Sequence, residues 1–321
     1  MELMLPDGFA RDVLVLGRGC PQALQPEADL QHAATGRADL CILAPDGDEC
    51  RSERWLTAAA GRAATALADH GLVYILAAPR CRPGLLRALH ARGLCSDGAW
   101  RHQPDVGVSR YLTPLKRNAL AFTYGGVVPV RPWRRGLARA VMALPGWTQP
   151  AVMRLPSVGL VARRPGGRPL FEWLWREVRA ADNGDVVIGS SWRGHGAVVL
   201  YLLSPMGRPV VVAKTTLVPA EGEGLRREAE NLRNLAVDAC LAGARTPVQV
   251  GALEVGGRPV VVQTVVPGQP ADHVLAVSRG RLEELLEELT TWMARWHAVT
   301  RRVQPVEAAD LGRWILGPAA D

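Results

Sequence analysis

The sequence predicts an α/β N-terminal domain followed by an α+β unit with an antiparallel sheet and one long helix packed on it. Three observations carry this expectation. Strand-like apolar runs alternate with helical periods up to about residue 125. A second series of short apolar runs, between 186 and 266, is broken by tight turns bearing Gly and Pro. One helical stretch interrupts that second series after its third run, and a single carboxylate points with its leucines. The expected domains are 1–128 and 173–321, joined by a connector over 129–172.

Composition sets the bounds. With 321 residues, 48% of them apolar, the chain has material for two cores. Its formal net charge of +7 is basic without being extreme. Six cysteines, at 20, 41, 50, 81, 95 and 240, show no C-x-x-C and no paired spacing. They read as scattered reduced thiols of a cytosolic protein rather than as metal ligands. Glu2 and Asp7 precede any apolar run, so no secretory leader is expected. No run of about 18 apolar residues occurs, so no spanning helix is expected, and the location is expected to be cytoplasmic.

The N-terminal part begins with a strand at Val13 to Leu16, followed by the turn Gly17-Arg18-Gly19. Asp39 to Pro45 reads as a second strand. Glu53 to His70 predicts a helix with Trp55, Ala59, Ala63, Ala66 and Leu67 on one face and Gly71 as its stop. Leu72 to Ala77 is a third strand, and Pro83 to Arg92 a helix stopped by Gly93. Arg110 to Leu115 and Ala119 to Tyr124 read as a closing pair of strands.

From Val106 to Phe171 there is no Asp or Glu, while Lys116 and ten arginines fall in the same span. Pro129, Pro132, Pro145, Pro150, Pro156, Pro165 and Pro169 break it, and Trp133 and Trp147 lie within it. The stretch reads as a basic connector with short helices such as Gly136 to Leu144. A basic surface over 110–168 suits an acidic protein partner or an anionic membrane surface. A solvated connector is the plainer alternative. No nucleic-acid motif is visible, so nucleic acid is not an expected partner.

The C-terminal unit turns on Lys214. Of the 38 basic residues only two are Lys, Lys116 and Lys214, and the rest are Arg. Lys214 closes the strand-like run Val210-Val211-Val212-Ala213, where a cation is costly unless paired. An ammonium is a compact charge that can serve phosphate oxygens and one carboxylate together, which a planar guanidinium does not replace. On a helical wheel Glu228 falls in the same arc as Leu225, Leu232, Leu235 and Ala239, while Glu230 points away. Glu228 is therefore the expected partner of Lys214. A lysine snorkelling from a strand end and a carboxylate at the edge of the arc are the alternatives. Before them comes Gly189-Ser190-Ser191-Trp192-Arg193-Gly194-His195-Gly196, which matches G-x-G-x-x-G at Gly189 and Gly194 with Ser191 in the middle. Such a turn lets backbone amides approach phosphate oxygens; an ordinary hairpin turn has the same look. Farther on, Arg281 to Arg302 is an amphipathic helix with Leu282, Leu285, Leu286, Leu289, Met293 and Trp296 as its stripe and His297 beside it.

Residues 186 to about 303 resemble the N-terminal lobe of the aminoglycoside phosphotransferase and small-molecule kinase family, a branch of the protein-kinase-like fold. The carriers are VVVAK with Glu228 in RREAENL, the hinge-like VVVQTVVPGQP, and the helix ending MARWHAVT. The resemblance implies ATP with Mg2+ as cofactor. It places Lys214 and Glu228 at the phosphates, Gly189, Ser191 and Gly194 in the flap, and adenine on the backbone of Gln263, Thr264 and Val265. The family's catalytic Asp loop is not found: no H-G-D, H-R-D or D-F-G occurs, and after Val303 the carboxylate residues are Glu307, Asp310 and Asp321. The expectation is a nucleotide binder without its catalytic lobe, a fragment or a non-catalytic relative, with no catalytic residue and no metal ligand assigned. The last helix is expected to seek the missing lobe or a second copy.

Residues 1 to about 125 resemble an incomplete, degenerate class I methyltransferase. The carriers are DLCILAP, GLVYILAAPR and LLRALHARGL. That resemblance implies S-adenosylmethionine near Gly17 and Gly19. Only 22 residues, 17 to 38, separate the first strand from the second, too few for the usual ribose-binding segment. Three readings follow: a nucleotide-binding phosphotransferase relative, a methyltransferase-like transferase, or a non-enzymatic adaptor acting through 110–168.

Overall fold

The computed structural model describes residues 12–20, 37–103, 110–127, 136, 157–167, 171–178, 184–190, 197–217, 219–241, 245–255, 257–267 and 281–300. Ser191, Gly194, most of the basic connector and its expected helix after Gly136 lie outside these residues.

The N-terminal strands are β1 (Val13–Leu16), β2 (Ala38–Leu43), β3 (Leu67–Ile75), β4 (Cys95–Gln103), β5 (Tyr111–Pro114) and β6 (Val158–Arg163). The C-terminal ones are β7 (Val186–Ser190), β8 (Ala197–Leu203), β9 (Pro209–Thr216), β10 (Gln249–Val255) and β11 (Arg258–Thr264). The helices are α1 (Glu53–Ala66), α2 (Arg82–His90), α3 (Arg117–Phe122), α4 (Glu172–Val178), α5 (Gly222–Leu241) and α6 (Leu282–Thr300).

All eleven strands form one sheet, ordered β1-β2-β3-β6-β4-β5-β7-β8-β9-β11-β10. The first three are parallel, and every later pair in that order is antiparallel. The join between the halves is the β5–β7 ladder, with Tyr111 opposite Gly189 and Leu112 opposite Ile188. Two further ties reinforce it. Lys116 pairs with Asp185 at 2.6 Å, and Asn118 Nδ2 donates to the Pro205 carbonyl.

Several elements differ from the sequence expectation. α1 begins as expected, with Ser52 Oγ accepting the Trp55 amide and Leu56, Ala59, Ala60 and Ala63 buried. It stops at Ala66, because Leu67 enters β3 and pairs with Ala38. Gly71 is thus no helix stop. It lies where the strands approach closely, and a Cβ there would stand 2.9 Å from the carbonyl oxygens of Ala38 and Asp39.

Ala119 to Tyr124, expected as a strand, is helical instead. Thr123 Oγ1 bonds back to the Ala119 carbonyl at 2.8 Å and meets Thr113 Oγ1 at 3.1 Å, which satisfies a helical turn and ties it to β5.

The expected connector contributes β6, which sits between β3 and β4 and is buried along its whole length. The local reason is Gly159. A Cβ there would meet the Tyr74 ring and hydroxyl, which cross that point to reach His102 Nε2 at 2.7 Å. Arg82 adds a tie from α2, donating to the carbonyls of Ala77 and Val158.

Cys50 and Cys81 form a disulfide with Cα atoms 5.3 Å apart, which corrects the expectation of reduced thiols only. The pairing was hidden by a separation of 31 residues. It arises because adjacent parallel strands β2 and β3 deliver their following turns to the same edge of the sheet. Among the described residues no helix is long and apolar enough to cross a membrane.

Candidate functional site

Residues directly opposite in an antiparallel ladder point to the same face, as do alternate residues of one strand. Lys214 in β9 is opposite Val199 of β8 and Val261 of β11. Val199 is opposite Gly189 of β7, and Gly189 is opposite Tyr111 of β5. One row therefore crosses five strands: Tyr111, Gly189, Val199, Lys214, Val261. The next row on that face is Val187, Tyr201, Val212 and Gln263.

α5 covers one side of this face, with Leu225 and Ala229 buried on Val261. Its stripe brings Glu228 inward and leaves Glu230 exposed, as the helical wheel predicts. Lys214 Nζ pairs with Glu228 Oε1, the side chains being 28% and 34% exposed. The pair is thus partly open to solvent. α3 covers the other side, where Ala119, Val187 and Leu203 form a small core flanked by Phe122 and Tyr201. Between the two helices, Val199, Val212 and Lys214 remain partly exposed.

The opposite face of β7–β11 is closed. Phe171, Leu174 and Trp175, at the start and within α4, pack there on Val186, Val198, Leu200, Ala213 and Val262. The sheet thus has one sealed face and one face with an opening around Lys214.

Two buried polar atoms beside Lys214 have no hydrogen-bond partner among the described residues: Gln263 Oε1 and Thr216 Oγ1. Both residues lie on the Lys214 face by register. A buried acceptor left unpaired costs stability unless a ligand or water supplies a donor. Tyr201 is the titratable neighbour whose ionisation is displaced. Burial, with the nearby Tyr111 phenol adding to it, pushes its pKa up to about 12.

The structure brings together Lys214, Glu228 and Gln263. Gly189 is placed within β7 rather than in a free turn. A Cβ there would stand 3.1 Å from the Tyr111 ring and 3.4 Å from the Tyr201 ring, so its visible role is clearance for two rings. The backbone of Thr264 is engaged with β10, its amide donating to the Val248 carbonyl and its Oγ1 accepting the Val248 amide. Val265 lies past the last ladder pair and is the first hinge residue outside the sheet. Sequence reasoning missed Tyr201, Phe122 and Tyr111. The alternation in AVVLYLL places Tyr201 on the face of Val199. No local signal announces the other two, because only the β5–β7 pairing and α3 bring them there.

Gly17 and Gly19 have a different use. A Cβ on either would come within 2.4 to 2.7 Å of the Ala44 or Pro45 carbonyl oxygen. The Gly19 amide donates to the Ala44 carbonyl, and the Arg18 amide to Glu49 Oε2. Arg18 also pairs with Asp46 at 2.9 Å, which clamps this turn on the turn after β2. Backbone amides held in this way are not free to cradle a ligand. A groove of about 980 Å³ opens between β1 and α1, lined by Leu14, Leu16, Gly61, Arg62 and Arg92 among others. It lies at the opposite end of the sheet from β10 and β11 and does not touch the Lys214 face.

Among the described residues no group of three His, Cys, Asp or Glu could hold a metal ion. Comparison of the chain with protein-family models, with curated proteins and with solved structures finds no match.

Proposed function

We propose that the chain binds a nucleoside triphosphate, ATP, on the Lys214 face. Lys214 is the phosphate ligand and Glu228 the carboxylate that orients it. The observation that carries this is the ion pair itself, partly open in the gap that α3 and α5 leave on this sheet face. An ammonium has three donors, so one bond to Glu228 leaves two for phosphate oxygens. Glu228 offsets the cost of holding the cation against the sheet when no ligand is present. The described residues offer no carboxylate cluster for Mg2+, and no protein ligand for the ion is proposed. No phosphate transfer is proposed: the other carboxylates that register puts on this face are engaged elsewhere, Glu254 with Arg226 at 3.3 Å and Asp185 with Lys116 at 2.6 Å.

The cytoplasm, where ATP is available, is the location that goes with this reading; the Cys50–Cys81 bridge weighs against it, because disulfides persist mainly in oxidising compartments. The methyltransferase-like and adaptor readings gain no separate observation.

A thermal-shift titration tests the proposal. A ligand that binds only the folded chain at about 100 times its Kd adds roughly 2.7 kcal/mol of stability. Mg-ATP is expected to raise the unfolding midpoint of the native chain and to leave that of Lys214→Ala unchanged. No shift in the native chain, or an equal shift in both, overturns it.

A further inference from the structure

The N-terminal half supplies part of the Lys214 face, and that placement carries a more specific reading, which rests on the nucleotide proposal above. Val212 stands between Tyr201 and Gln263 in one cross-strand row. The strands of Tyr201 and Gln263 are two spacings apart, roughly 9–10 Å. Val212 is thus the floor of a slot with an aromatic ring on one side and an amide on the other. Lys214 lies two residues along the same strand, about 7 Å away. A ligand with a planar base at one end and phosphates at the other spans that arrangement.

Tyr201 does not hold this position alone. Its ring lies 5.3 Å, centroid to centroid, from Phe122 of α3. Tyr111 of β5 flanks it across Gly189, which has no side chain to keep the two rings apart. Both supports come from the N-terminal half. The second, independent observation is on the other wall. Gln263 is 6% exposed, and its Oε1 is buried without a partner among the described residues. It faces the slot by register and lacks a donor, which an amino group on a base would supply.

We propose that the N-terminal half builds one wall of the nucleotide site: Phe122 and Tyr111 hold Tyr201 against the base, which lies on Val212 opposite Gln263. The two halves are then parts of one binding unit. Phe122 and Tyr111 are positioning residues, acting through Tyr201.

Calorimetric titration with Mg-ATP and with magnesium tripolyphosphate, which has no base, separates the wall from the phosphate site. The full-length chain is compared with Lys214→Ala, Tyr201→Ala and Phe122→Ala. Tyr201→Ala and Phe122→Ala are expected to bind ATP about tenfold more weakly, the scale of one lost base–ring stack. Their affinity for tripolyphosphate is expected to match that of the native chain. Lys214→Ala is expected to lose both ligands. If Phe122→Ala does not fold, Phe122→Leu takes its place, keeping apolar volume without the ring. The inference is overturned if Tyr201→Ala and Phe122→Ala bind ATP as the native chain does while Lys214→Ala does not. A loss confined to Tyr201→Ala overturns the contribution of the N-terminal half. If the native chain binds neither ligand, the nucleotide reading fails first and the wall falls with it.

Discussion

Tyr111 and Gly189 face each other across the β5–β7 ladder, and the tyrosine ring stands 3.1 Å from the point where a Cβ on residue 189 would sit. That contact lies on the ladder that joins the two halves among the described residues, so the fit between two distant segments decides whether these strands form one sheet or two. Gly189→Val is expected to cost about 1–3 kcal/mol by overpacking. Gly224, in α5, has nothing within 4 Å of its would-be Cβ, and Gly224→Ala is expected to gain about 0.5–1 kcal/mol. Urea unfolding of both variants checks the contrast; a neutral Gly189→Val would show that the seam is loose.

Lys214 and Glu228 are each about a third exposed, so solvent screens their attraction. Their pairing is expected to add about 1 kcal/mol or less to stability. Glu228→Gln is therefore expected to leave the unfolding midpoint nearly unchanged. Its ATP affinity is expected to fall roughly tenfold, the scale of one hydrogen bond to a charged group. A large stability loss with unchanged affinity would assign the pair to architecture alone.

The Cys50–Cys81 bridge closes a loop of 31 residues that contains α1 and β3. A loop of that length restrains the unfolded chain by about 3–4 kcal/mol in the chain-entropy account. Dithiothreitol, or the Cys50→Ser change, is expected to lower the urea midpoint accordingly. Buried Cys41, whose thiol burial pushes up to about 12, is expected to stay unreactive to thiol reagents in the folded chain. Rapid labelling of Cys41 before unfolding would contradict its placement.

Tyr201 makes stability sensitive to alkali. Its folded pKa is raised to about 12, so the neutral phenol is favoured in the folded state. The stability it contributes is fully present below the unfolded value of about 10. It declines as the pH rises through 10 toward 12, because the unfolded chain ionises first. Tyr201→Phe is expected to flatten that decline. Unfolding followed by fluorescence between pH 9 and about 12, across that interval, measures it, and an unchanged slope would show that Tyr201 titrates freely.

Much of this was legible before any coordinates. The scarcity of Lys in an Arg-rich chain singled out Lys214, and the arc of Leu225 and Leu232 turned Glu228 inward; the structure joins the two. The cores of β1, β2, β8, β9 and β11 follow from apolar runs. β4 stayed hidden because Cys95 to Gln103 is polar along much of its length, with its first three residues exposed. β6 stayed hidden because its six buried residues sit in a basic, proline-broken stretch that reads as connector. Ala119 to Tyr124 has the composition of a strand, and Thr123 and the contact with β5 turn it into a helix.

The sequence by itself determined which face of each element is apolar, and with it the inward direction of Lys214 and Glu228. That information is local, since side-chain direction repeats every two residues in a strand and every 3.6 in a helix. Tertiary structure alone decided which strands are neighbours. Backbone hydrogen bonds between strands are the same whatever the side chains, so β5 meeting β7, and Tyr111 and Phe122 reaching Tyr201, depend on how distant segments fit. The same holds for Cys50 and Cys81, brought together by parallel strands rather than by any spacing along the chain.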